Sequence, residues 1–317
     1  MSSRHAISAA ADRVTVSNAG MNVVVAGGTG FLGSALVERL RHAGHRVRIL
    51  TRQTRRADDV AWVPDGSVKS WASVLDDADA VINLAGESIA GGRWTEARKA
   101  RIRDSRIRAT RSLVGAIQQA ARRPAVFLSG SAVGYYGPHD EEPLTEESPA
   151  GNDFLATVCR DWETEALRAA GTTRVVLLRT GLVLERDGGA LPQMALPFRL
   201  FAGGPAGSGR QFYSWIHRDD WIGMVMWAID VGSVSGPLNV TAPAPLSNRD
   251  FARTLGRVLH RPSFMPAPAF ALRIVLGEMA DGLLLSGQRV LPELAQSQGY
   301  SFKYPALEPA LRAVFGR

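Results

Sequence analysis

Between Met21 and Leu40 the chain reads Met21-Asn-Val-Val-Val-Ala-Gly-Gly-Thr-Gly-Phe-Leu-Gly-Ser-Ala-Leu-Val-Glu-Arg-Leu40, an apolar run, a glycine turn and a helical repeat with nothing between them. Val23 to Ala26 has the length and branching of a buried parallel strand, and Phe31, Leu32, Ala35, Leu36, Val37 and Leu40 recur at helical spacing. Gly27, Gly30 and Gly33 permit a tight turn, close approach of the backbone to a ligand, and close packing of helix on strand. The free N–H groups and positive dipole end of the helix then suit a pyrophosphate. We therefore read Gly27, Thr29, Gly30, Phe31, Leu32 and Gly33 as a dinucleotide site. A glycine-rich turn with no ligand is the alternative.

The next strand selects between cofactors. Arg46-Val-Arg-Ile-Leu50 reads as strand two, whose end lies beside the adenosine ribose in such a site. A site for NAD would place Asp or Glu there. This chain has Thr51-Arg52, with Arg55 and Arg56 close behind. A guanidinium plane suits a 2′-phosphate and a hydroxyl can add a hydrogen bond, so NADP(H) is the expected cofactor. A solvated basic loop is the other reading.

Strands and helices alternate along the chain in the pattern of an α/β fold with a doubly wound parallel Rossmann sheet. After a short strand near Ala61–Val63 come strands at Ala80–Leu84 and Ala125–Leu128, a helix from about Thr95 to Ala121, another from about Phe154 to Ala170, and a strand at Arg174–Leu178. Beyond Gly181 the rhythm breaks into glycine loops, and helix resumes at Phe270. The expected organisation is a disordered extension over 1–20, an NADP-binding domain over 21–185 with a returning segment about 212–240, and a smaller loop-rich and helical substrate lobe from 186–211 and 241–317.

Composition narrows the function. The 317 residues are 45% hydrophobic, enough for a large core, yet no apolar run reaches the roughly 18 to 20 residues that span a bilayer. Residues 1–20 lack the apolar stretch of a secretory signal. The net charge of +7 is mostly scattered arginine, and its densest stretch, Arg93 to Arg111, reads as an amphipathic helix with a solvated basic face. Nucleic acid and membrane are therefore not expected partners. A small-molecule substrate is expected, with the protein a monomer or homodimer. Cys159 is the sole cysteine, which excludes an internal disulfide and fits a reducing, cytoplasmic setting. No cluster has metal-ligand spacing.

Gly27-Gly-Thr-Gly-Phe-Leu-Gly33, Asn83-Leu-Ala-Gly86, Ser129-Gly-Ser-Ala-Val-Gly-Tyr-Tyr-Gly137 and Trp215-Ile-His-Arg-Asp-Asp220 together resemble the extended short-chain dehydrogenase/reductases of the NAD-dependent epimerase/dehydratase superfamily. Gly277-Glu-Met-Ala-Asp-Gly-Leu-Leu-Leu-Ser-Gly-Gln-Arg-Val290 is similar to the C-terminal segment of an atypical, YfcH-like branch of epimerase family proteins, whose C-terminal domain has no known function. The resemblance implies an NADP(H)-binding, oxidoreductase-like protein of unknown substrate. It also implies cofactor contacts at Leu84, Ala85, Gly86 and Ser129. Arg106 falls where the parent family carries an asparagine, and Arg106 and the backbone at Leu182 are expected to converge on the nicotinamide end.

The parent chemistry uses a tyrosine, a lysine four residues later that lowers its pKa, and a serine on the same substrate oxygen. Lys69, Lys99 and Lys303 are the only lysines, and none follows a tyrosine by four. Alignment on Trp162-Glu163 puts Leu155 at the tyrosine position and Cys159 at the lysine position, while Ser131 is kept. A free phenol titrates near 10 and is a poor base. Ser131, assisted by Tyr135 or Tyr136, remains as the candidate catalytic group, with Arg106 placed to lower a phenol's pKa. The alternatives are that both tyrosines only wall the pocket, that Cys159 is a nucleophile rather than an inert hydrophobe, and that His217 titrates rather than serving the strand-to-helix junction. Two functions stay open: an enzyme with a rearranged acid, and a catalytically inactive nicotinamide-binding sensor or scaffold.

Overall fold

A computed structural model describes residues 20–316. The extension expected over 1–20 lies, apart from Gly20, outside the described residues. The first half of the chain alternates as the sequence pattern requires: β1 (Asn22–Ala26), α1 (Phe31–His42), β2 (Arg46–Thr51), β3 (Asp59–Ala61), β4 (Ala80–Asn83), α2 (Glu96–Gln119), β5 (Val126–Ala132), β6 (Pro143–Leu144), α3 (Phe154–Leu167) and β7 (Arg174–Thr180). Then follow β8 (Leu182–Leu184), α4 (Leu191–Arg199), β9 (Phe212–Tyr213), β10 (Trp215–His217), α5 (Arg218–Asp230), β11 (Gly236–Val240), β12 (Leu246–Ser247), α6 (Asn248–Leu259) and α7 (Ala269–Leu276). A π-helical turn at Asp281–Leu285, the strand Arg289–Val290 and the helix Leu307–Phe315 complete the described chain.

Seven parallel strands form one sheet in the order β11-β7-β5-β4-β1-β2-β3. This is the Rossmann-like doubly wound architecture expected from the sequence. The strand order reverses at β1 and β4, and ligands bind at the carboxyl ends of such a switch point. Because helices cover both faces, the strands are apolar on both, and β4 is buried at every residue. Val23, Val25, Ile82 and Leu128 face Leu36 and Leu40 of α1 and Trp221 and Val225 of α5. Val24, Val81, Phe127 and Val175 face Leu113 and Ile117 of α2 and Ala166 of α3. A further core gathers Leu191, Phe198, Trp215, Phe251, Leu255 and Leu311 from the second half of the chain.

Four elements differ in their boundaries from expectation. β3 lies earlier than Ala61–Val63, because Asp59 accepts the N–H groups of Arg55 and Arg56 at 2.7 and 2.9 Å and starts the ladder opposite Ile49. Trp62 then turns inward against Trp71, ring centroids 5.4 Å apart. β5 continues past Leu128 to Ala132 and so carries Ser129 and Ser131 inside the sheet, opposite Leu177 and Arg179. α2 and α3 end at Gln119 and Leu167 rather than near 121 and 170, giving way to the turns that feed β5 and β7.

The last stretch of chain is tied to the sheet layer through one carboxylate. Asp220, 2% exposed in the first turn of α5, accepts the backbone N–H groups of Lys303 and Tyr304 at 2.7 and 2.8 Å. Asp220→Ala would leave both donors unmatched, at about 2–4 kcal/mol in all. Denaturant unfolding should show that loss, with a smaller one for Asp220→Asn, which keeps one carbonyl acceptor. Wild-type stability in Asp220→Ala would remove this tie from the account.

Candidate functional site

The glycine turn has a division of labour that the sequence only half reveals. Gly27 takes φ +81°, and a Cβ there would lie 2.6 Å from the Leu84 carbonyl carbon and 2.8 Å from the Ala85 nitrogen. A Cβ at Gly33 would lie 2.2 Å from the Gly27 oxygen. Both positions are closed by the protein's own backbone. Gly30 is different: it is the N-cap of α1 in extended geometry, φ −81° and ψ 178°, and a Cβ there would meet only the Gly27 oxygen, at 3.3 Å. The left-handed position is therefore Gly27, and the space over Gly30 is open toward a ligand. α1 has no side-chain cap and no acidic residue in its first turn. In contrast, α2, α3 and α6 are capped by Thr95, Asp153 and Ser247. Its leading N–H groups have no acceptor within the helix. Phe31 is roofed by the second half of the chain, since a Cβ at Gly188 would lie 2.3 Å from its ring.

At the end of β2 the Thr51 hydroxyl donates to the Gln53 carbonyl at 3.1 Å and accepts the Gln53 N–H at 3.2 Å. Its proton is spent in the turn, so Thr51 has no proton to offer a phosphate. Arg52 and Arg56 are exposed and form no ion pair among the described residues, whereas the Arg55 guanidinium bonds Gln53 at 3.3 Å. Across the switch point, Asn83 holds the Ala85 N–H through Oδ1 at 3.2 Å and donates to Thr110 at 2.9 Å. Trp162 donates to the same Thr110 hydroxyl at 2.8 Å, which fixes α2 and α3 against the Leu84–Gly86 turn.

Arg106 projects from α2 toward that turn. Its Nη1 donates to the Glu87 and Ile102 carbonyls at 3.0 and 2.9 Å, its guanidinium carbon lies 5.2 Å from the Trp162 ring, and a Cβ at Gly86 would touch its Cζ at 3.1 Å. Burial lowers its pKa, yet a guanidinium stays charged near neutrality. Nε and Nη2 make no hydrogen bond among the described residues.

The residue positions read for catalysis are joined by a pair that the sequence analysis passed over. Arg179 binds Glu163 in a bidentate pair, Nε to Oε1 and Nη2 to Oε2, each at 2.9 Å. Ser131 Oγ donates to Glu163 Oε1 at 2.6 Å. Arg179 Nη1 donates to the Tyr136 hydroxyl at 3.0 Å, and that hydroxyl donates to Asn239 at 2.7 Å. Tyr136 is fully buried, and burial pushes its phenol up to about 12 against the pull of Arg179. This corrects the reading of Tyr136 as an acid: its proton is engaged inside the core. Tyr135 stays half-buried, its ring 3.5 Å beneath the Arg179 guanidinium. The signal in the sequence was Arg179 itself, a lone cation in Val-Val-Leu-Leu-Arg that must find a buried partner.

Leu155 is half-buried and Cys159 is buried. Leu155 packs with Trp94, Phe154, Leu276, Met279 and Leu283, so the C-terminal segment covers the place of the usual phenol. Burial first, then Glu163, push the Cys159 thiol up to about 12, so it stays protonated. His217 accepts the Asp219 N–H at 3.0 Å as the N-cap of α5, stacks on Tyr304 at 4.0 Å, and is held neutral by burial. Leu182 opens β8, its N–H bound to the Ser214 carbonyl at 2.7 Å. The Ser129 hydroxyl is buried without a hydrogen-bond partner. Among the described residues no group of His, Cys, Asp and Glu is arranged to hold a metal, and no helix is long and apolar enough to cross a membrane.

Residues 23–240, which include the glycine turn and the Ser131 strand, match the model of the NAD-dependent epimerase/dehydratase family. The chain belongs to that family. Residues 267–314 match a separate domain of unknown function, which places the segment over Leu155 in a module of its own. A chloroplastic homologue of epimerase family protein SDR39U1 from Arabidopsis thaliana is 44% identical over 93% of this chain and 86% of its own length. Epimerase family protein YfhF of Bacillus subtilis is 43% identical over 92% of this chain and 97% of its own. The crystal structure of human epimerase family protein SDR39U1 with NADPH superposes with a TM-score of 0.86 at 36% identity, covering 94% of this chain and all (100%) of that one.

Two measurements check the geometry. Gly30→Ala should melt as the wild type does, while Gly33→Ala should melt lower because its Cβ meets the Gly27 oxygen; equal melting of the two would refute the division of labour. Cys159, ordinarily near 9.0, and Tyr136, ordinarily near 10.0, are both raised to about 12 in the fold. The folded state thus holds protons the unfolded chain gives up. That stability is complete below about pH 9 and is lost as pH rises toward 12. Unfolding free energy followed from pH 8 to 11 should fall, and fall less in Tyr136→Phe.

Proposed function

We propose that this family member binds NADP(H) with its pyrophosphate over Gly30 and the α1 N-terminus and its 2′-phosphate against Arg52 and Arg56, and that it works as an oxidoreductase on a small substrate. The observation that carries the reading is the combination of an uncapped helix end beside an open Gly30 with unpaired guanidinium groups at the end of β2. The human relative solved with NADPH supports it. Thr29, Phe31, Leu32, Leu84, Ala85, Gly86, Ser129 and the Leu182 backbone would line the cofactor, and the cofactor would supply hydride chemistry. The lone buried Cys159 suits a reducing, cytoplasmic setting.

The chain's own groups then take unusual parts. The Ser131 hydroxyl donates its hydrogen bond to Glu163 and presents lone pairs, so it accepts from a substrate hydroxyl rather than donating to a carbonyl. Arg106 keeps Nε and Nη2 for the substrate oxygen. A guanidinium does not release its proton near neutrality, so it holds negative charge as it develops instead of transferring a proton. The completing proton comes from water or through the half-buried Tyr135. Conjugated carbonyls, whose oxygen carries charge well, suit such a site. One observation favours a non-catalytic sensor or scaffold as a second reading: the phenol of Tyr136 and the thiol of Cys159 are enclosed and held protonated.

Calorimetry should give a preference for NADPH over NADH of roughly ten- to hundredfold, from charge-assisted hydrogen bonds of about 1.5–3 kcal/mol. Arg52→Ala should shrink that preference, and equal wild-type affinities would end the NADP reading. With NADPH bound, loss of its absorbance over a library of conjugated carbonyls should be seen, and Arg106→Met should slow it at least tenfold. Binding with no turnover on any member selects the second reading.

A further inference from the structure

Far along the chain from the glycine turn, Arg186, Arg199 and Arg261 line one cleft of about 260 Å³ whose remaining walls are Leu259 and Phe315. No carboxylate lines it. Several other arginines on the same lobe are matched: Arg257 and Arg312 share Glu308 at 2.7 Å each, and Arg218 takes Glu185, the neighbour of Arg186, at 2.8 Å. Arg186, Arg199 and Arg261 have no ion pair among the described residues, and Asp187 beside them pairs with none of the three. We propose that this cleft is a binding site for the phosphate groups of a small metabolite, separate from the dinucleotide site and independent of its assignment.

Two features beyond charge define the cleft. Phe201 and His260 are the only non-glycine residues with positive φ among those described, at 61° and 54°, and both flank this cleft. Phe201 follows the end of α4 that carries Arg199, and its ring lies 4.5 Å beneath the Arg261 guanidinium. His260 ends α6 and hands the chain to Arg261. Both are left-handed helix ends closed by their own backbone, Phe201 and Ala202 donating to Phe198 and Pro197, and His260 and Arg261 to Arg257 and Gly256, so they fix the walls of the cleft without themselves indicating a ligand. The second feature is an unused donor: Arg261 Nε is buried with no hydrogen-bond partner, although its Nη1 donates to the His260 carbonyl at 3.0 Å.

Three helices, α4, α6 and Leu307–Phe315, end at this cleft, and their terminal carbonyls carry negative partial charge. Arg199 in the last turn of α4 offsets that end through space, and Arg261 donates to the His260 carbonyl at the end of α6. Arg186 and Arg199 leave planar donors free, in the geometry that binds phosphate through paired N–H groups. The volume fits one or two phosphate groups rather than a whole nucleotide. Occupancy has a structural consequence. Arg186 lies two residues before Gly188, which packs on Phe31 of the glycine turn, so an anion on Arg186 restrains the roof of the dinucleotide site.

The test uses the full chain saturated with NADPH, so that the glycine turn is not available to the probe. Isothermal titration with inorganic diphosphate at low salt should show one site per chain. Arg199→Ala and Arg186→Ala, both at exposed positions, should each weaken it about tenfold, and Arg199→Lys less, with NADPH affinity unchanged. Citrate should bind more weakly than diphosphate if phosphate geometry is what the guanidinium groups read. Absence of a diphosphate site, wild-type affinity in both alanine variants, or binding to phosphatidylglycerol vesicles with none to diphosphate would each overturn the assignment.

Discussion

A buried ion pair holds the carboxyl edge of the sheet together. Arg179 on β7 and Glu163 on α3 are 3% and 6% exposed at their side chains, and between them they engage Ser131 on β5, Tyr136 beyond it and, through Arg179, the Glu146 carbonyl at 3.0 Å. Charges at such depth are tolerated only when every lone pair and donor is matched, and losing one partner costs about 3–5 kcal/mol. Here the match extends to Asn239 on β11 through the Tyr136 hydroxyl. Two strands, a helix and a connecting loop therefore converge on one carboxylate. Ser131 is aimed by that network, and its proton is consumed by it.

The same packing accounts for the missing proton relay. A tyrosine at the place of Leu155 would bring its hydroxyl among Trp94, Leu276, Met279 and Leu283, where burial disfavours ionisation. A lysine at the place of Cys159 would set its ammonium beside Arg106, whose charge already reaches the thiol. The C-terminal module and the altered helix α3 are thus one packing solution. Gly282 belongs to it as well, since a Cβ there would lie 2.7 Å from the Trp94 ring. What this chain lacks there is the tyrosine and lysine pair. What it keeps is the switch point, the open Gly30 and a desolvated guanidinium.

The excess positive charge is not spread evenly. Along α2 the arginines find carboxylates: Arg98 with Glu87, Arg103 with Asp161 and Arg111 with Glu165, at 3.0, 2.9 and 3.0 Å. The Arg103 pair is exposed and contributes little to stability, the other two are partly buried, and all three neutralise the helix surface. Guanidinium groups without an ion pair among the described residues also occur singly, as at Arg39, Arg123 and Arg160, but they form local groups at the end of β2 and at the meeting of three helix ends. Electrostatic recognition is therefore local on this molecule, and the net charge of +7 says little about it.

The sequence by itself determined the parallel sheet, its switch point and the dinucleotide turn, because each is written in contiguous residues. Apolar strands, glycine spacing and helical periodicity act over a few residues and need no distant partner. Even there the local signal stopped short: three glycines were visible, but only the approach of Leu84 and Ala85 made Gly27 the left-handed one and left Gly30 open. The absence of the tyrosine and lysine pair was equally legible. Tertiary structure alone decided that Tyr136 faces inward while Tyr135 stays half-buried, because the deciding partners, Arg179 and Asn239, lie 43 and 103 residues away. It alone brought Glu163 under Ser131, set the C-terminal module over Leu155, and joined Arg186, Arg199 and Arg261 at one cleft. The physical reason is common to all of these. Burial, charge pairing and competition for a hydrogen bond depend on which surfaces meet, and separation along the chain carries no record of that.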